Sequence, residues 1–365
     1  MEPFKNVYNK NSISDLAEKI SEKDRGFDKK SFVSQSTRNL NKLEMKQRVD
    51  QITENLNSHL SGGYKKKIAT LEKTIKSSKN PDGLSGFLLW PYSNFVEVYG
   101  LDYFEESIRA LKSITIAFTA EFGIRQFLIK DPRRTYEVLE KWVSHSNEHV
   151  RRLVSEGTRP NLPWGKKVPN IKDHLNKNIK LLNKLKNDES EYVRKSVANH
   201  MNDIGWIDPK LAIKTLTSWH KGASKETHWV IKHALRNLLK QGNKDALKLM
   251  GYNPNAKVGI SSVSLSPKKI KEGDRFNLQF SVKNETSKNQ PLMIDYIIHY
   301  PKANGSLNPK VFKLKTVDLE GNGTLEVKKS IHFKKVTTRK HYTGKHYLEV
   351  QINGKVLKKS SFTLA

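Results

Sequence analysis

The chain has 365 residues and carries 66 Lys and Arg against 37 Asp and Glu, a formal net charge of +29. An excess of that size points to a polyanionic partner, with nucleic acid ahead of a membrane surface. No stretch approaches the roughly 18 consecutive apolar residues of a spanning helix, and the lack of any cysteine excludes disulfides, thiol nucleophiles and Cys-ligated metal centres.

The N-terminal "MEPFKNVYNKN" lacks the basic-then-apolar pattern of a signal peptide, so the expected compartment is the cytoplasm. Residues 1–255 then follow helical periodicity. "LAEKISEKDRGFDKKSFV", "KLEMKQRVDQITENLNSHL" and "YKKKIATLEKTIKSS" place apolar residues three and four apart. "DPRRTYEVLEKW" from Asp131 and "DPKLAIKTLTSW" from Asp208 repeat one helix start, an Asp cap followed by Pro, and each reaches a Trp eleven residues on. Their spacing fits two units of about 38 residues, the period of HEAT-like helix pairs. His145 and His149 are four apart but straddle the "SNE" helix start, and no HExxH occurs, so no metal site is expected.

The second helix of each unit aligns as well. "HVRRLVSE", "YVRKSVAN" and "WVIKHALR" superpose on Val150, Val193 and Val230. One column then holds Arg152, Lys195 and Lys232, and another Glu156, Asn199 and Arg236. In a HEAT-like α-helical solenoid such helices line the concave face, and the polar columns face the ligand. The first column reads as a basic track for phosphates, with Arg125, Arg151, Arg159 and Arg194 as further cations of the same kind. Taken alone, any one of these residues is equally well a solvent-facing charge.

Carboxylates in such a groove are unexpected, because they repel phosphates. Glu156 lies four residues after Arg152, on the same helix face. Glu121 opens an earlier helix in "TAEFGIRQF", and Asp203 in "NHMNDIGW" is expected just after a later one. Their bland readings are an ion pair, a helix N-terminal charge and a turn. Their functional reading is that positive charge forms nearby. Trp164, in the Pro-bounded loop "TRPNLPWG", is either a plug between repeats or a flat surface for a sugar or base.

After "GYNPNAK" the periodicity changes to alternation. "VGISSVSLSP", "RFNLQFSVKN", "PLMIDYIIHY", "KVFKLKTVDL", "TLEVKKSIHF", "HYLEVQING" and "KVLKKSSFTL" read as about seven strands, with Asn353-Gly354 as a two-residue hairpin turn. Residues 256–365 are therefore expected to form an all-β immunoglobulin-like sandwich. This tail holds 21 Lys and Arg against 8 Asp and Glu, so it shares the positive charge.

"HVRRLVSEGTRPNLPW", "SEYVRKSVANHMNDI" and "FTAEFGIRQFL" together closely resemble the AlkC-type bacterial DNA glycosylases, relatives of AlkD in the HEAT-like alkylation-repair group. The resemblance covers most of residues 1–255, and the basic tail is similar to the immunoglobulin-like domain of one AlkC branch. Two departures are Gln126, where the family usually has Pro, and Gly205-Trp206, near which a basic–acidic pair is more usual.

The resemblance implies excision of cationic N-alkylated bases such as 3-methyladenine, 3-methylcytosine and 1-methyladenine from double-stranded DNA. It implies no metal or organic cofactor and no capture of the base in a pocket. A solenoid that wraps DNA suits a monomer, and a nucleoid-associated protein with no obligate protein partner is expected. On that reading Glu156 is the leading catalytic acid, supported by Glu121 and Asp203. Trp164 lies against the lesion's deoxyribose, and Arg152 and its column grip the backbone. The alternative is a non-catalytic HEAT-repeat scaffold that binds nucleic acid or an acidic protein. A sugar- or peptide-binding module fits less well, for want of a signal peptide and cysteines.

Overall fold

A computed structural model describes residues 3–336 and 339–365. These fall into two compact units. One runs along the chain to Asp208 and takes in Trp219–Ala234; the other joins Pro209–Ser218 to Leu235–Ala365.

The first half of the helical part comprises α1 (Lys10–Ser21), α2 (Lys29–Ser36), α3 (Met45–His59), α4 (Tyr64–Thr74), α5 (Trp90–Tyr99), α6 (Phe104–Ala117) and α7 (Glu121–Lys130). Then follow α8 (Pro132–Trp142), α9 (Glu148–Gly157), α10 (Ile171–Leu185), α11 (Glu191–Ile207), α12 (Pro209–His220), α13 (Lys225–Ala234), α14 (Arg236–Lys240) and α15 (Lys244–Leu249). Their starts are chemically marked. The Asn9 side chain accepts from the Asn11 and Ser12 amides, and Asp131 accepts from the Arg134 amide at 3.1 Å with Pro132 in the first turn. Asn147 caps α9 through the His149 amide at 2.9 Å, which confirms the "SNE" start. The continuous helical pattern read from Leu16 to Val33 is instead broken between Ser21 and Lys29. There Asp24 turns inward and accepts from the Gly26 and Ser61 amides at 3.1 and 2.9 Å.

Alternate helices pack on one another in chain order: α3 on α5, α5 on α7, α7 on α9, α9 on α11 and α11 on α13. Helices α8 and α10 pack against α9, and α10 also against α11. A glycine permits one close approach in this layer, at the end of α9, where a Cβ on Gly157 would lie 2.5 Å from the Ile124 methyl of α7. Its absence lets the end of α9 come up to the start of α7.

The strands are β1 (Val258–Ile260), β2 (Ser264–Ser266), β3 (Lys269–Ile270), β4 (Arg275–Asn284), β5 (Gln290–Pro301), β6 (Leu307–Leu319), β7 (Thr324–His332), β8 (Gly344–Ile352) and β9 (Lys355–Leu364). Among the described residues nine strands replace the seven expected, because "VGISSVSLSP" divides into β1 and β2 along β4, and Lys269–Ile270 adds a short edge beside β9. One sheet gathers β1, β2 and β7 around β4; the other runs β3-β9-β8-β5-β6. Phe276, Leu278, Phe280 and Val282 alternate inward from β4 to meet Ile294, Ile298, Leu348 and Val350 in a β-sandwich core. Asn353 and Gly354 have φ of 45° and 76°, the paired left-handed conformation of the expected tight hairpin. Helix gives way to strand between Leu249 and Val258, but α14 and α15 belong compactly with the strands. Two contacts tie them there: Gln351 donates to the Lys240 carbonyl at 3.3 Å, and Asn353 to the Asn253 carbonyl at 2.9 Å.

Candidate active site

Three carboxylates meet inside the helical unit. Glu121 is the first residue of α7, Glu156 the last but one of α9, and Asp203 lies in the C-terminal part of α11, inside the helix rather than after it. Each is less than a tenth exposed: Glu121 7%, Glu156 6%, Asp203 4%. Buried carboxylates at that density need partners, and two arginines supply them. Arg152 reaches Glu121 Oε2 at 3.3 Å and Glu156 Oε1 at 3.4 Å. Arg159 donates from Nη1 to Glu156 Oε1 at 2.7 Å and from Nε to Asp203 Oδ2 at 2.8 Å. The row therefore alternates in sign, Glu121, Arg152, Glu156, Arg159, Asp203, with three negative groups to two positive ones.

Neighbouring groups fix this row. The Ser196 hydroxyl donates to Glu156 Oε2 at 2.6 Å, Arg152 donates to Thr119 Oγ1 at 2.9 Å, and the Arg152 guanidinium lies 5.0 Å from the centre of the Tyr192 ring. Burial pushes the Glu121 and Asp203 carboxyls above the ordinary range, against the pull of Arg152 and Arg159 respectively. For Arg152 and Arg159 burial acts downward, but the surrounding acids outweigh it and both guanidiniums are held more firmly charged. His200, fully buried, is pushed down by desolvation to about 3 and is neutral; its Nδ1 donates to the Ser155 carbonyl at 2.9 Å.

The loop after α9 is held from below. Arg125, 0% exposed, donates to the carbonyls of Gly157 and Arg159 at 2.8 Å each and to that of Lys166 at 2.6 Å. Burial and the adjacent Arg159 lower its guanidinium to about 10. The same loop places Trp164 at φ 65°, a conformation a bulky residue rarely adopts. Its ring is 60% exposed and stacks on Trp90 with centres 6.1 Å apart, while its carbonyl accepts from Lys46 Nζ at 2.7 Å. Trp90, Trp164, Phe122, Glu97, Lys46 and Lys166 border a cleft of about 300 Å³.

Several expected phosphate contacts are corrected by this geometry. Arg125 has no surface to offer, since its donors are turned to backbone carbonyls. Arg152 and Arg159 are countercharges between acids rather than outward grips. Arg151 pairs with Asp188 at 2.7 Å, and Arg194, half-buried, donates to the carbonyls of Asp188 and Glu189 at 2.7 and 2.9 Å. Lys195 and Lys232 are exposed on α11 and α13. Asn199 is half-buried one turn before Asp203. Arg236 is not on α13, which stops at Ala234, but opens α14, so the Glu156–Asn199–Arg236 column does not extend to a third helix. Ser196, Thr119, Trp90 and Lys46 join the expected set. Each reaches the site from a different helix or loop, and only the "VRKS" alignment hints that Ser196 shares a helix with Lys195.

A row of buried, arginine-braced acids thus lies inside a strongly basic helical protein. Residues 30–238 match the family described as DNA alkylation repair enzyme, and residues 259–365 match the C-terminal Ig-like domain family of the uncharacterised protein YhaZ. The chain belongs to the DNA alkylation repair enzyme family and carries a C-terminal Ig-like domain. It is 40% identical over 357 residues, 98% of each chain, to the uncharacterized protein YhaZ of Bacillus subtilis (strain 168). It is also 36% identical to the Pseudomonas fluorescens alkylpurine DNA glycosylase AlkC in its structure bound to DNA containing an abasic site analogue; the match covers 100% of both chains with a TM-score of 0.93. Among the described residues no helix is long and apolar enough to cross a membrane.

Proposed function

We propose that this protein is a DNA glycosylase that removes cationic N-alkylated bases, of the 3-methyladenine, 3-methylcytosine and 1-methyladenine class, from double-stranded DNA in base excision repair. The observation that carries the reading is the convergence of Glu121, Glu156 and Asp203 from three helices within a family of alkylation repair enzymes. In this reading residues 1–255 form a HEAT-like solenoid that binds DNA and does the chemistry, supported by the chain-order packing of α3, α5, α7, α9, α11 and α13. Residues 256–365 add a second basic surface for the duplex. The protein works as a monomer in the bacterial cytoplasm.

The chemistry follows from charge. An alkylated base that is already cationic leaves without protonation. The C1′–N bond breaks, the base departs neutral with the bonding pair, and positive charge develops on the deoxyribose. Carboxylates fixed beside that sugar stabilise the charge without reorganising. Water then adds to C1′ and gives its proton to one of them, Glu156 first in line. Arg152 and Arg159 stand between the three acids, and the three carboxyl groups, outnumbering the two guanidiniums, are what the oxocarbenium-like sugar meets. Trp164, exposed and backed by Trp90, lies against the sugar of the lesion. The base itself needs no pocket, in contrast to most enzymes that act on bases. No metal or organic cofactor enters a step of this kind.

The test is incubation of the purified protein with methylated duplex DNA in the presence of EDTA, with released bases identified by mass spectrometry. Release of free methylated bases is expected. Tight, salt-sensitive binding with no release overturns the reading and makes the protein a nucleic-acid-binding scaffold.

A further inference from the structure

On the far side of Glu156 from its arginines stands a buried hydroxyl. We infer that Ser196 is a positioning residue for the glycosylase reaction, setting the orientation of the Glu156 carboxylate; the inference rests on the function proposed above.

Ser196 lies on α11 and is 3% exposed, so it touches no DNA. Its Oγ stands 2.6 Å from Glu156 Oε2 and 3.0 Å from Ser155 Oγ. A hydroxyl has one proton to give. The shorter distance and the charged acceptor send it to the carboxylate, at a length typical of O–H···O⁻ bonds. The Ser155 hydroxyl is the longer, neutral alternative acceptor at 3.0 Å. The backbone of Ser155 is itself pinned, through its carbonyl, by His200.

The acceptor capacity of Glu156 gives the Ser196 bond its purpose. An ionised carboxylate has about four lone-pair positions. On Glu156 one oxygen serves Arg159 at 2.7 Å and Arg152 at 3.4 Å, and the other serves Ser196. Roughly one position is left for a sugar or a water. Without Ser196 only the Oε1 contacts restrain rotation about the last bond, and that position can turn away. Loss of a donor also makes any carboxylate easier to protonate. The charged and titratable groups facing Glu156 are Glu121 and Arg125 on α7, Arg152 on its own helix, Arg159 on the following loop, and Asp203 and Tyr192 on α11. Ser196→Ala leaves all of them in place.

The decisive measurement is the pH dependence of single-turnover excision by Ser196→Ala and Ser196→Thr. Ser196→Ala should slow excision about tenfold, the cost of one hydrogen bond to a charged group, and move the acid limb of the profile up by about one pH unit. Affinity for duplex containing an abasic analogue should not change. Ser196→Thr, which keeps the hydroxyl, should restore both rate and limb. If Ser196→Ala proves unstable, Ser196→Cys fills the space with a weak donor and should show the same shift. A rate loss without movement of the limb, or one that Thr does not rescue, reduces Ser196 to packing and overturns the inference. Wild-type protein that releases no base from methylated duplex overturns the proposed function itself, a failure visible before any variant is made.

Discussion

The interior where α7, α9 and α11 meet and the exposed faces of α11 and α13 are built from the same sequence column, yet they use positive charge in opposite ways. Arg152 is turned between Glu121 and Glu156, whereas Lys195 on α11 and Lys232 on α13, its counterparts in the sequence alignment, stand in solvent. The division follows side-chain chemistry. A guanidinium has five donors in a plane, so Arg125, Arg151 and Arg159 can be buried, and Arg152 half-buried, with their donors turned to carboxylates and carbonyls. An ammonium is strongly hydrated and stays outside. A basic protein thus holds two populations of cation, and the outer one is open to solvent.

The sharpest way to break this comparison is to neutralise the centre of the inner population. Glu156→Gln preserves shape but leaves Arg152 and Arg159 facing a neutral amide. Single-turnover excision should fall by about a thousandfold, the scale of losing a preorganised electrostatic group, with DNA affinity within about twofold of wild type. Rates near wild type would exclude Glu156 as the leading acid and move that role to Glu121 or Asp203.

A smaller effect is expected from the cation beneath the loop. Arg125→Met keeps much of the volume but removes the donors to Gly157, Arg159 and Lys166, leaving three carbonyls to find other partners. Stability should fall by about 3 kcal/mol, and Tm by about 6–12 °C for a unit of this size. Excision should drop with it, since the same loop carries Arg159 and Trp164. Unchanged thermal denaturation, with weaker DNA binding instead, would return Arg125 to the phosphate-contacting set.

What is legible in the sequence follows the same line. Caps and prolines mark α8 and α9, the alternation after residue 256 marks the strands, and the Asn353-Gly354 turn is readable because its chemistry is local. Column alignment brings Arg152 and Glu156 to one face, but periodicity reports direction and not depth. It cannot show that this face is closed over by Thr119, Tyr192 and Ser196 from other segments. Arg125 reads as a surface cation for that reason, and Arg236 reads as part of a column that in fact ends when α13 stops at Ala234. The three acids and Trp164 stand out because charge of the wrong sign and an aromatic in a Pro-bounded loop are conspicuous in a basic chain. The approach of Glu121 to Glu156 needs α7 and α9 to come together at Gly157, a packing detail with no sequence period.

The outer population gives the mildest test and the one that separates grip from chemistry. Lys195 is adjacent in sequence to Ser196, but the two point away from each other on α11, one into solvent and one at Glu156. Lys195→Ala should therefore leave single-turnover excision at saturating protein unchanged. It should weaken affinity for duplex DNA a few-fold and reduce the slope of log affinity against log salt by about one, as when a single cation no longer meets its phosphate. Lys232→Ala should do the same, and in the double variant the slope should fall by about two, because two exposed ammoniums on different helices act independently. A slope that does not move would mean that α11 and α13 turn this face away from DNA. A rate that falls at saturation would mean instead that the two sides of α11 are coupled, and the separation between inner and outer cations would fail at the helix where they lie closest in sequence.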